Sequence, residues 1–169
     1  MSGRHRSRKI IAVSDGAEKE AEVLRGILDR CGRDCFTVLP AGEAARQDGT
    51  AAVLLAARPG KFPDPQKISV CVTEYALSRL PAFSGFRKLV TYSTDRDGAD
   101  FTARNIRNVS EGATAFEIVG VGIIGRVRLK TDRRDSVATA LAAAAAAIAA
   151  GIPFADILEA LNGMDRFDW

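Results

Sequence analysis

Histidine is nearly missing from this chain: among 169 residues the only one is His5. That scarcity excludes much chemistry. A serine or cysteine nucleophile needs a base beside it, and a His/Cys metal site needs imidazoles, so neither has material here. Cysteine is also sparse. Cys31, Cys35 and Cys71 are the three, and the Cys31–Cys35 spacing lacks the second pair or nearby histidine that would complete a zinc site. We read them as reduced, buried structural thiols. Aromatic residues make up 7%, too few to interleave with basic residues as a stacking platform for single-stranded nucleic acid. The longest apolar stretch, Val137 to Ala150, is mostly alanine and too short to span a bilayer, and Arg133, Arg134 and Asp135 crowd its start. No apolar segment follows the basic start, so no secretory signal is expected and the protein is expected to be cytoplasmic.

What remains is an ordinary globular composition, 47% hydrophobic and 27% charged. The formal charge of +3 is an end effect. Arg4, Arg6, Arg8 and Lys9 hold four of the 24 basic residues, leaving 20 against 21 acidic ones. We therefore expect a solvated basic tail over residues 1–9 and one near-neutral domain over 10–164, with no nucleic-acid or membrane partner. Arg104, Arg107, Arg126, Arg128 and Lys130 are read as a solvated face.

Periodicity gives the domain its class. Lys9 to Val13 is a short apolar run ending in Ser14-Asp15-Gly16, and from Ala17 the apolar residues Ala21, Leu24, Ile27, Leu28 and Cys31 recur at helical intervals up to a C-cap at Gly32. Cys35–Leu39, Ala51–Ala56, Ile68–Thr73 and Lys88–Tyr92 read as further strands, with a turn at Pro40-Ala41-Gly42 and a loop from Arg58 to Pro65. Continuous apolar strands predict an α/β fold, a mostly parallel sheet covered on both faces and flanked by helices. A small antiparallel strand pair, Ala115–Val119 and Gly125–Lys130, is expected near the C-terminal third. Asp135 or Ser136 then caps an alanine-rich helix ending at Gly151, and Pro153 opens a last helix with Phe154, Ile157, Leu158 and Leu161 on one face. Asp95, Asp97 and Asp100 cluster around Gly98 and read as turn formers; Glu74, after a strand, reads as solvated.

The order of these segments resembles the central, ATP-binding domain of Mur ligases, the peptide-bond-forming enzymes of cell-wall synthesis, most closely from Lys88 to Leu161. The matching series is the strand Lys88-Leu89-Val90-Thr91-Tyr92, then Ala99 to Ile106, a two-stranded unit, Ser136 to Ala143, and Gly151-Ile152-Pro153. In the family the helix start reads Asn-Val-x-Asn-Ala-Leu-Ala-Ala, whose asparagines help hold nucleotide; here those two places carry Ser136 and Thr139. Ile10 to Gly32 resembles the family's strand, phosphate loop and first helix. Where the family loop reads Thr-Gly-Thr-Asn-Gly-Lys-Thr-Thr, this chain has the shorter Ser14-Asp15-Gly16-Ala17-Glu18-Lys19-Glu20. Lys19 stands near the family lysine and Glu20 takes the place of the metal-binding hydroxyl.

A phosphate loop works because backbone amides and a helix N-terminus converge on anionic oxygens. Asp15, Glu18 and Glu20 put carboxylates there instead, and like charge opposes a triphosphate. The resemblance also implies an acidic metal ligand, a histidine and a carbamylated lysine, for which this chain offers no counterpart, and first and third domains, of which Asp165-Arg166-Phe167-Asp168 resembles the opening of the third. We therefore expect a degenerate Mur-ligase-like domain, a pseudoenzyme with no catalytic or metal residues and no cofactor, binding a protein partner, a second copy of itself or a small anion. Its residual nucleotide site would be Ser14, Asp15, Gly16, Lys19, Ser136 and Thr139. The alternative is a ligase subunit completed by another chain, which would use Mg-ATP.

Overall fold

The computed structural model describes residues 8–46 and 50–165. The rest of the basic tail, with His5, and the Arg166–Asp168 part of the expected third-domain opening lie outside the described residues. Eight strands form one sheet in the order β2-β1-β3-β4-β5-β6-β7-β8. They are β1 Lys9–Val13, β2 Phe36–Pro40, β3 Ala51–Ala56, β4 Ile68–Glu74, β5 Leu89–Ser93, β6 Phe101–Ser110, β7 Ala113–Gly120 and β8 Ile123–Leu129. The pairs from β2 to β6 are parallel, whereas β6–β7 and β7–β8 are antiparallel. The fold class is as expected, with one enlargement. The antiparallel part is a three-stranded meander continuous with the parallel sheet, not a separate pair, because the polar segment after Asp100 forms the ten-residue β6.

Among the described residues four α-helices accompany the sheet: α1 Glu18–Arg30, the single turn α2 Ala41–Ala44, α3 Asp135–Ala149 and α4 Phe154–Gly163. Strand alternation sorts the sheet's side chains onto two faces. Ile11, Val13, Val53, Leu55, Val72 and Tyr92 face α1 and α3. Ala12, Leu54, Ala56 and Cys71 face the other way, where the cover is α2 and the two connections that lead into and out of β4. Phe62, Phe83 and Phe86 stack there at centroid distances of 5.3 and 6.3 Å. The second face is thus closed by aromatic loops rather than by a layer of long helices. The expected turn at Pro40-Ala41-Gly42 is instead the start of α2.

α3 is the centre of the domain. Every residue from Ala140 to Ala147 is at most 1% exposed, so the helix is buried all round for two turns. It touches α1, α4 and strands β3 to β7. Alanine is what permits this: it has the best helix propensity and adds only a methyl group between backbones. The expected side-chain cap is absent. Arg134 holds the N-cap position, and the Asp135 carboxylate accepts from Arg133 at 3.0 Å instead. The C-terminus matches the expectation. Gly151 takes φ +94°, and the Ile152 amide donates to the Ala147 carbonyl, which closes a Schellman motif.

The cysteines differ from the reading as buried thiols. Cys71 is buried, Cys31 is half-buried and Cys35 is exposed, and all three are free. Burial pushes the Cys71 thiol up to about 12, so it stays protonated and unreactive at neutral pH. A disulfide reagent should label Cys35 at once and Cys71 only as fast as the domain unfolds. Prompt labelling of Cys71 would contradict the packing of the loop-covered face.

Candidate functional site

In a doubly wound sheet, ligands bind at the carboxyl ends of the strands where the winding reverses. Here the chain leaves β1 to form β2 on one side and then crosses to β3 on the other, so the reversal lies between β1 and β3. The Ser14–Ala17 turn follows β1, and Ala57 and Arg58 follow β3.

These segments are stitched to each other. Ser14 is 5% exposed; its amide donates to the Leu55 carbonyl at 2.9 Å and its Oγ accepts from the Ala57 amide at 3.1 Å. The Ala17 amide donates to the Ser14 carbonyl at 3.1 Å, closing a four-residue β-turn with Gly16 at φ +87°, a conformation for which glycine is suited. Arg58 Nε donates to the Gly16 carbonyl at 3.1 Å from outside. The Asp15 carboxylate accepts from the Gly42 amide at 3.5 Å, at the start of α2. The Ser14 and Ala17 amides and the Ser14 hydroxyl are thus engaged with the chain itself.

Beside the turn, toward β2, lies a cleft of about 170 Å³. Its floor is apolar, from Val13, Ala17, Ala21 and Pro40, and its rim carries Asp15, Glu18 and Glu22 with Arg25 as the one cation among the described residues. Arg25 is engaged, donating to Glu22 at 3.2 Å and to the Val38 carbonyl at 3.3 Å. Pockets for drug-sized ligands run from about 300 Å³ upward. This one is smaller, and its rim carries three carboxylates.

The structure divides the six residues named from the sequence. Ser14, Asp15 and Gly16 line the cleft. Lys19, Ser136 and Thr139 do not; they sit on the other side of α1, where it packs against α3. Lys19 is exposed, while Ser136 and Thr139 are each 9% exposed in the first turns of α3. The Asp135 carboxyl is held below its usual range by the hydrogen bond from Arg133 first, and by the nearby charge of Lys19 to a smaller degree.

Sequence reasoning missed two residues. Arg58, read as loop, latches the turn. Tyr92, read as strand, is a buried phenol raised by desolvation first and then by the carboxylates Glu20 and Glu74, against the charge of Arg58. Glu20 Oε2 is itself buried without a hydrogen-bond partner. Glu74 accepts from the Ala76 amide at 3.0 Å and caps a 3₁₀ turn. Nothing in the local sequence signals this meeting, because it depends on which strand lies beside which.

The aspartates are structural. Asp100 Oδ2 accepts from the Thr91 amide at 2.8 Å and hydroxyl at 3.1 Å, and its amide donates to Thr91 Oγ1 at 3.1 Å, which clamps β5 to the start of β6. Asp95 accepts from Ser93 Oγ at 2.9 Å, and Asp97 pairs with Arg104 on the surface at 3.2 Å. Among the described residues, no group of His, Cys, Asp and Glu is arranged to hold a metal ion, and no helix is long and apolar enough to cross a membrane.

No protein-family profile matches the sequence, and no curated protein matches it. Solved structures do. The UDP-N-acetylmuramoylalanyl-D-glutamyl-2,6-diaminopimelate–D-alanyl-D-alanyl ligase of Acinetobacter baumannii superposes with a TM-score of 0.67 at 15% identity, covering 95% of this chain and 47% of that one. The UDP-N-acetylmuramate-alanine ligase MurC of Thermotoga maritima gives 0.67 at 17% identity, over 94% and 45%. The murein peptide ligase of Psychrobacter arcticus gives 0.64 at 15% identity, over 94% and 47%. The chain spans about half the length of these structures, and it has the fold of the Mur ligases over that half.

Proposed function

We propose that this chain is a Mur-ligase-like domain that works by binding, not by hydrolysing ATP. The observation that carries the reading is the closed turn. Ser14 Oγ is taken up by the Ala57 amide and the Ala17 amide donates to the Ser14 carbonyl, so a hydroxyl and an amide that a phosphate cradle would present are engaged within the chain. Arg58 on the Gly16 carbonyl fixes the turn from outside. Carboxylates of Asp15, Glu18 and Glu22 line the adjoining cleft. The residues present do not fit Mg-ATP. The same fold in cell-wall ligases makes a related setting the natural place to look for its partner.

Calorimetric titration with Mg-ATP, together with a phosphate-release assay, tests this. We expect no saturable heat, no turnover, and no difference between wild type and Lys19→Ala. Micromolar affinity with turnover overturns the proposal.

One observation favours a second reading, that of a ligase subunit using Mg-ATP and completed by another chain. Lys19 stands beside the N-terminal turns of α3, next to the residues that replace the family's asparagines. On that reading Lys19→Ala lowers nucleotide affinity about tenfold or more, as loss of a charge-assisted phosphate contact should.

A further inference from the structure

The face of the β6–β8 meander that points away from α3 and α4 is unlike the rest of the surface. Alternation along β8 turns Gly125, Val127 and Leu129 inward and Ile124, Arg126 and Arg128 outward. Across the ladder Ala115 lies between Arg107 and Arg128, and Glu117 lies between Arg104 and Arg126. A shallow groove of about 380 Å³ runs over Ala115 between Arg107, Arg126 and Arg128. The Arg126 side chain is 91% exposed and 3.9 Å from Glu117, the one acid lining the groove among the described residues, so positive charge is left over there. The aliphatic end of the same meander is bare: Ile124 is 68% exposed and Val121 at the hairpin tip 96%. Three of the four large hydrophobic residues exposed among the described ones, Val109, Val121 and Ile124, belong to this meander.

The edge of β8 is meanwhile closed. The Asn162 side chain accepts from the Arg128 amide at 2.8 Å and donates to the Arg126 carbonyl at 3.1 Å, imitating a neighbouring strand. That contact discourages strand addition at the edge and leaves the face as the available surface.

We propose that this face docks an acidic segment of a partner protein, with carboxylates on Arg126, Arg128 and Arg107 and an apolar side chain on Ile124 and Val121. The proposal rests on the reading of the chain as a binding domain and names where and what it binds. Charge complementarity selects an anionic partner, since the guanidinium fork matches a carboxylate. The bare aliphatics select protein over nucleic acid. Bases would need aromatic rings to stack on, which this face lacks, and phosphates would leave Ile124 and Val121 in water. A second copy meeting this face two-fold would set arginine against arginine.

The spacing suggests the probe. Ile124, Arg126 and Arg128 lie two residues apart, about 6.8 Å per step. An extended peptide whose alternate residues read leucine, glutamate, glutamate matches them. Added to the full chain, it should shift the amide resonances of residues 115–119 and 124–128 and leave Ser14 to Ala17 unmoved. Arg126→Glu with Arg128→Glu should weaken it about tenfold or more. Both side chains are solvent-exposed, and an unchanged melting temperature would show that the variant folds. A peptide with serine for leucine should bind several-fold less tightly.

Several results overturn the proposal: no meander resonance moving at millimolar peptide, equal affinity in the reversed variant, or oligothymidylate binding as tightly as the peptide. So does a wild-type dimer that dissociates in the reversed variant, which would make a second copy the occupant. Mg-ATP shifting Ser14 to Ala17 would sink the functional reading, and it is told apart from failure of the docking face because the meander resonances report that face separately.

Discussion

Phe116→Ala should destabilise the domain by about 3–5 kcal/mol, the range for removing a large buried aromatic. Phe116 is 1% exposed on β7, paired across the ladder with Val127 and packed into the core that includes α3. Backbone hydrogen bonds do little to hold the meander to the rest of the sheet. The β5–β6 junction has only two register pairs, Tyr92 with Phe101 and Ser93 with Thr102. Side chains directed at α3 and α4 must therefore hold it, with Phe116, Ile118, Val127 and Leu129 all buried there. The measurement is chemical denaturation followed by far-UV dichroism. A loss below about 1 kcal/mol, the mean for an arbitrary substitution, would show that the meander is anchored otherwise.

Ala144→Leu should cost a comparable amount from the opposite cause. Ala144 has no exposed surface, and neither do its neighbours Ala143 and Ala146. Helix propensity barely distinguishes the two residues, so any loss comes from packing. A leucine side chain must displace the sheet, α1 or α4, all of which touch α3. Overpacking of this kind costs about 3 kcal/mol where neighbours cannot yield, or about 6–12 °C in melting temperature for a domain of this size. Ala138, on the exposed side of the first turn, is the control, and leucine there should be nearly neutral. Equal behaviour at both positions would mean that α3 is not the packed centre of the fold.

Much of the parallel half was legible because its physics is local. A strand buried on both faces must be largely apolar; β3 is so throughout, and Ile10–Val13 in β1, Val70–Val72 in β4 and Leu89–Val90 in β5 supply shorter apolar runs. A helix with one buried stripe must repeat at three and four residues, and α1 does. β6 escaped because its physics is not local. Most of its length from Arg104 onward is exposed, so no apolar alternation survives, and Asn105 at φ +53° interrupts the register with β7. α2 escaped because a single turn of helix opening on Pro40 looks the same in sequence as a β-turn.

The candidate site was legible in position more than in arrangement. The residues named after β1 and at the start of α3 follow from strand-to-helix order. The structure places Ser14, Asp15 and Gly16 on the cleft beside the β1 turn and Ser136 and Thr139 in the first turns of α3. Their division by α1 into two groups was not visible. Nor was the closure of the turn, which needs Leu55, Ala57 and Arg58, some forty residues downstream and adjacent only because β3 lies beside β1.

A crystal grown in millimolar Mg-ATP would show whether the turn after β1 stays shut and acid-lined. Ser14 Oγ should remain bonded to the Ala57 amide and Arg58 to the Gly16 carbonyl, with no phosphate nearby. A triphosphate resting on the Gly16 and Ala17 amides, with Lys19 turned toward it, would mean that the turn still holds nucleotide.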